Sequence, residues 1–232
     1  TSKVAIIAAV LPAWIESVPR EGPTVRFCKS LSGAGNDPAL RTIAKSFASS
    51  REKPPVITAS PPLILSLITG IGMGLNIQRL RDLGVGAILH DIGKVRIPEE
   101  ILKKPSQLTV EEFEEIKKHT IYGYEILKEC KNISMISAFI AFAHHERFDG
   151  SGYPLQIKGE NIHTCARIVA VADVYDALTS DRVYRSKLRP HEAIEYIMSL
   201  AGQHFDPEVV NVFVKNIALY PVGTGVILNT NE

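Results

Sequence analysis

The chain has 232 residues, room for one large domain or a domain with a smaller appendage. Its 45% hydrophobic and 22% charged residues exclude the disordered class. The 26 Lys+Arg against 25 Asp+Glu leave a net charge of +1, which excludes a bulk electrostatic pull toward a nucleic acid polymer or an anionic membrane.

Residues 1–52 read differently from the rest of the chain. KVAIIAAV suits a short buried strand, SGAGNDP (32–38) is loop chemistry, and ALRTIAKSF reads as a short helix. Together they predict a small α/β-like N-terminal appendage of unknown function, ahead of a main domain over 53–232. VAIIAAVLPAWI holds Pro12 and lacks the basic flank and cleavage site of a signal peptide. Two proline pairs, Pro54-Pro55 and Pro61-Pro62, then punctuate the chain, and Ser60 before Pro61 reads as an N-cap opening a helix over 61–74. The apolar run there, LILSLITGIGMGL, is too short to span a bilayer, which takes about 20 residues.

Beyond it the patterns are helical. Residues 76–92 keep Leu80, Leu83 and Ala87 on one face. Thr109-Val110-Glu111-Glu112 is a capping box opening a helix whose inner side carries Phe113, Ile116, Thr120 and Leu127. Segments 132–146, 164–180, 189–202 and 206–218 are also predicted helices, with Pro190 and Pro207 near two of the starts. YPVGTGVILN (220–229) reads as a short β-like tail. The predicted fold is therefore mainly α. Cys28, Cys130 and Cys165 are scattered and form no CxxC pair, which points to a reducing, cytoplasmic setting and away from a cysteine metal site.

The polar residues of chemical interest fall on inward faces. At 100° per residue, His90 and Asp91 share the arc of Leu80, Leu83 and Ala87, and Lys94 joins them if the helix continues through Gly93. Buried polar groups are costly unless paired or bound to metal, although a helix end with a solvated His-Asp pair would look the same. His119 leans inward beside Ile116, where a lone histidine is more often a satisfied core residue than a ligand. His144 and His145 close the 132–146 helix. Adjacent side chains diverge by about 100°, so both ligate only if they face different ions, or one ion at a helix end. Asp173 lies on a face with Val169, Asp176, Ala177 and Ser180. His163, His191 and His204 read as surface or structural groups, and EEFEEIKK as a solvated helix face with Glu–Lys pairs.

Individually weak, these residues are strong as a set. His90, Asp91, His119, His144, His145 and Asp173 supply four imidazoles and two carboxylates from four helices. That nitrogen and oxygen set suits two divalent ions such as iron or manganese, and zinc would accept it. Two such ions, bridged by an aspartate, activate water and clamp a phosphodiester.

The texts HDIGKVRIPEEILKKP, EEFEEIKKHTIYGYEIL, HHERFDGSGYP, RIVAVADVYDALTSDRVYR and FDPEVV resemble the HD-GYP family, a branch of the HD phosphohydrolase superfamily, over roughly residues 64–229. The resemblance implies an all-helical bundle with a di- or trinuclear centre that hydrolyses cyclic di-GMP to the linear dinucleotide pGpG or to GMP in bacterial signalling. It implies His90, Asp91, His119, His144, His145 and Asp173 as metal ligands, with Asp91 and Lys94 catalytic. Gly152, Tyr153 and Pro154 then belong to the substrate-binding loop, in which glycines 150 and 152 let the backbone approach the ligand. Arg182 and Arg185 grip phosphate. A diguanylate cyclase binding at this loop, and a second copy of the chain in a homodimer, are further candidate partners.

One part departs from the family pattern. Counting back 32 positions from His90, where the family places a further metal-ligating histidine, reaches Thr58, and Pro54 stands where trinuclear members have a glutamate. Two explanations stand: a degenerate site with a dinuclear centre open on one edge, or a gap in the sequence near the proline pairs. The departure motivates an alternative function, a degenerate domain that binds cyclic di-GMP or a cyclase without hydrolysis. A third reading, a hydrolase for another nucleotide, is opposed by the GYP loop.

Overall fold

The computed structural model describes residues 61–181 and 186–217. The expected appendage over 1–52, the cap at Ser60, Pro54, Thr58, Arg182, Arg185 and the tail at 220–229 lie outside these residues. Among the described residues there are nine α-helices and two 3-10 segments, with one isolated bridge between Ala201 and Phe205 in place of any sheet.

The helices are α1 (Pro61–Gly72), α2 (Ile77–Leu89), α3 (Glu99–Leu102), α4 (Val110–Lys117), α5 (His119–Lys128), α6 (Met135–Ala143), α7 (Thr164–Thr179), α8 (Pro190–Ser199) and α9 (Pro207–Asn216). Their starts follow local chemistry. The Asn76, Ser134 and Asp206 side chains accept from backbone amides in the first turns of α2, α6 and α9. Thr109 and Glu112 form both halves of the predicted capping box on α4. Where a single helix was expected from Thr109 onward, the chain breaks at Lys118 into α4 and α5. At the break the Ile116 carbonyl also takes the His119 ring, at 2.7 Å.

Helix α7 is the hub. Ile168, Val169, Val171 and Ala172 are fully buried, so it is apolar nearly all round, as a helix enclosed by others must be. It packs against α1, α6, α8, α9 and α2. Leu63 and Leu67 of α1, Leu80 and Leu83 of α2, Ile194 and Ile197 of α8, and Phe213 of α9 complete one core with it. A smaller cluster of Leu127, Ala138 and Ala141 joins α5 to α6, with Leu89 and Ile92 against it. No helix among the described residues is long and apolar enough to cross a membrane.

Helix α2 stops at Leu89, earlier than the expected 92, and the chain continues as a 3-10 segment over Ile92–Arg96. Lys94 therefore does not depend on an α-helix running through Gly93. In 3-10 geometry residues i and i+3 eclipse, so Lys94 lies directly over Asp91. Gly93 is what lets this segment lie flat on α5: a Cβ there would sit 1.9 Å from the His119 carbonyl oxygen and 2.5 Å from the Gly123 nitrogen.

Candidate metal centre

Four chain segments converge at one end of the bundle: the C-terminus of α2 with the 3-10 segment, the first residue of α5, the end of α6 and the middle of α7. Each delivers its side chain through local backbone geometry. His90, His119 and His144 place Nδ1 at 2.8, 2.7 and 3.0 Å from the carbonyls of Ala87, Ile116 and Ala141, three residues back in each case. A carbonyl only accepts, so each Nδ1 carries the proton and each Nε2 faces the centre of the cluster; on His119 and His144 the neutral ring keeps its Nε2 lone pair there.

Asp91 stands between these Nε2 atoms. Its Oδ1 lies 3.5 Å from His119 Nε2 and 3.9 Å from His144 Nε2. Its Oδ2 lies 3.4 Å from His90 Nε2, which is itself 3.5 Å from Asp173 Oδ1. The ligand atoms of Asp91, His119, His144 and His145 all fall within 4.8 Å of one another. One carboxylate thus faces a nitrogen-rich pocket with one oxygen and a His-Asp pair with the other, the disposition of a bridging ligand.

The adjacent histidines resolve as the helix-end case. Helix α6 ends at Ala143, not at 146, and His144 is its C-cap. Beyond the regular helix the two rings fold together, with centroids 4.1 Å apart, and both reach the same cluster.

The electrostatics fit a cation. His119 Nε2 and His144 Nε2 are 3.4 Å apart with no proton between them in the neutral tautomers. Burial holds both rings below the ordinary histidine range and pushes His145 down to about 3, so these lone pairs stay open at any pH near neutrality. Burial also opposes charge on His90, but hydrogen bonds to Asp173 and Asp91 outweigh it and hold that ring up to about 10, so His90 can ligate only by giving up its Nε2 proton to an incoming cation. Burial works against the Asp91 and Asp173 carboxylates too, and their hydrogen bonds to His90 nevertheless keep both below the usual range. Asp91 Oδ1 is a buried acceptor without a hydrogen-bond partner. An orphaned anionic oxygen surrounded by nitrogen lone pairs is satisfied by a divalent ion, and by little else.

All six expected ligands are therefore together, and Lys94 Nζ is 2.6 Å from Asp91 Oδ2. Tyr153 stacks on His145 with centroids 4.8 Å apart and the planes at 29°. Burial and the nearby Asp91 and Asp173 charges raise the Tyr153 phenol above its ordinary value, so it stays a hydrogen-bond donor. The Tyr153-Pro154 peptide is cis. One expectation needs correction. Gly152 is not a gap left for ligand: a Cβ there would meet the Arg147 nitrogen at 2.3 Å and the His145 carbonyl oxygen at 2.6 Å. Its role is to press the loop onto the end of α6. Gly150 has φ +87°, which serves the turn itself.

Glu146 was missed at the sequence level. It is 3% exposed, and its two oxygens accept the amides of Leu155 at 2.7 Å and Ile157 at 3.1 Å. This clamp holds the loop behind Tyr153 and steadies Gln156 at φ 58°. A glutamate between a ligand pair and a basic residue looks like surface text, and only the chain reversal at 150–157 turns it inward. Glu146→Ala strips two amides of their acceptor and is expected to destabilise the fold by about 2–4 kcal/mol, read as a lower urea midpoint. An unchanged midpoint would contradict the clamp. Of the remaining histidines, His163 caps α7 by accepting from the Cys165 amide, while His191 and His204 are half-buried outside the cluster.

A helical bundle in which four histidines and a second aspartate gather around one carboxylate marks a candidate metal centre. Similarity to known proteins makes the class specific. The HD domain family matches residues 51–209. A cyclic di-GMP phosphodiesterase of Pseudomonas aeruginosa is 43% identical over 153 residues, 66% of this chain and 37% of that protein. A second, from Thermotoga maritima, is 46% identical over 144 residues, 62% of this chain and 39% of that protein. The solved structure of an HDG"Y"P protein from Bdellovibrio bacteriovorus superposes with a TM-score of 0.56 at 18% identity, covering 83% of this chain and 60% of that one, and shares the fold. The chain belongs to the HD domain family, in its HD-GYP branch. It spans less than two-fifths of the length of these two relatives.

Proposed function

We propose that the chain is a metal-dependent phosphodiesterase that hydrolyses cyclic di-GMP to pGpG or GMP in the cytoplasm. The observation that carries this reading is Asp91, whose two oxygens face separate sets of ligand atoms. Two ions, iron or manganese, fit this donor set, with His119, His144 and His145 on one side of Asp91, and His90 and Asp173 on the other. When bound, such ions supply Lewis-acid chemistry that neutralises the phosphodiester and activates water.

The chain's own residues do the rest. Lys94, beside Asp91, is placed to steady the scissile phosphate and to give a proton to the departing 3′-oxygen. Tyr153 orients the nucleotide while its stacking keeps the His145 ring in place. Arg182 and Arg185 grip phosphate in this reading. The names of the two relatives support cyclic di-GMP as the substrate.

The test is turnover of cyclic di-GMP by protein purified anaerobically, with metal content measured alongside. Expected are two ions per chain and hydrolysis that chelation abolishes and manganese or ferrous iron restores. Thr58, where a histidine was expected, favours a second reading, a domain that binds the nucleotide or a diguanylate cyclase without cutting. Tight binding by the metal-replete chain without product would select that reading over ours.

A further inference from the structure

Phe113 is out of place. It is 45% exposed, although its spacing with Ile116 puts it on the side of α4 expected to face inward. Its neighbours explain it better than a packing role does. The Lys117 ammonium lies over the Phe113 ring at 4.9 Å and over the Tyr153 ring at 5.6 Å, so one cation joins the two rings. The same ammonium pairs with Glu114 at 2.6 Å. Tyr153 in turn stacks on His145. A surface of two aromatic rings, one ammonium and one carboxylate therefore borders the metal centre.

We infer that Phe113, Glu114 and Lys117 of α4, with Tyr153, form a base subsite selective for guanine. The Phe113 ring, 45% exposed, offers stacking to any base, so it brings affinity without choice, while Tyr153 holds Lys117 in place. The choice lies in the ion pair. Guanine presents acceptors at O6 and N7, which an ammonium reads. It presents donors at N1 and N2, which a carboxylate reads. Adenine reverses the order, with a donor at N6 and an acceptor at N1, and sets like against like on this pair. The Glu114 side chain is largely exposed and that of Lys117 partly so, and their mutual ion pair is solvent-screened, so a base reaches both at little cost. The subsite rests on the proposed phosphodiesterase reading only for its substrate; its selectivity shows in binding as well as in turnover.

The experiment compares cyclic di-GMP with cyclic di-AMP on metal-replete protein, by Kd and by kcat/KM. The wild-type chain is expected to prefer the guanine ligand. Glu114→Gln and Lys117→Met are each expected to lose about tenfold of that preference, through KM rather than kcat. Lys117→Arg, which still donates to O6 and N7, is expected to keep it. A preference unchanged to within about twofold in both loss variants would overturn the subsite, as would equal affinity of the wild-type chain for the two ligands. Guanine selectivity in binding with no hydrolysis of any phosphodiester, bis(p-nitrophenyl) phosphate included, would instead reject the enzyme reading and leave the subsite standing.

Discussion

Asp91→Asn is expected to empty the metal centre and to lower cyclic di-GMP turnover on the order of a thousandfold. The substitution keeps the shape of the side chain, so the fold persists. It removes the one carboxylate whose oxygens lie 3.5 Å from His119 Nε2 and 3.4 Å from His90 Nε2. Asparagine offers one weak acceptor and one NH2 donor, and an NH2 group aimed at either ligand set repels a cation. Lys94 simultaneously loses the partner it holds at 2.6 Å, and with it the position that Asp91 imposes. Asp173 cannot substitute, because its contact within the cluster is to His90 on one side only. Metal analysis and turnover on the same preparation check the prediction. Two ions per chain in the variant would sink the bridging role, whatever the rate.

The second large effect is expected from a single methyl group placed where no ligand lies. Gly93→Ala puts a Cβ 1.9 Å from the His119 carbonyl oxygen and 2.5 Å from the Gly123 nitrogen. Both obstacles are backbone, so no rotamer change relieves the clash. The 3-10 segment must lift away from α5, at a cost of about 3 kcal/mol. The lift carries Asp91 away from His119, so metal occupancy falls with stability. Urea unfolding of the chelated protein measures the first effect without the contribution of bound metal. Metal content at saturating manganese measures the second. A midpoint and a metal content equal to those of the wild-type chain would show that the segment has room the geometry denies it.

The two variants divide what could be read early from what could not. Asp91 stood out in the sequence because a carboxylate on the Leu80–Leu83–Ala87 face needs a partner. Gly93 did not, since its neighbour is the main chain of a residue 26 positions away. The capping box at Thr109 was legible because its two halves lie three residues apart. The ends of α2 and α6 were each placed three residues too late, because periodicity continues past the point where a side chain takes over the backbone's acceptor. Glu146 and the base-reading surface on α4 stayed hidden for a related reason. Lys117 meets Tyr153 only after the chain has turned back at the end of α6.

By itself the sequence determined the helical class, the candidate ligands and the family. Those come from local spacing, the chemistry of imidazole and carboxylate, and motifs that hold their order along the chain. Tertiary structure decided that Asp91 faces two sets of ligands, that His144 and His145 serve one cluster, and that Gly152 packs against a helix end. Each of these depends on distances of a few ångströms between residues far apart in sequence. Such distances are set by how whole helices pack, and a pattern within one segment does not carry them.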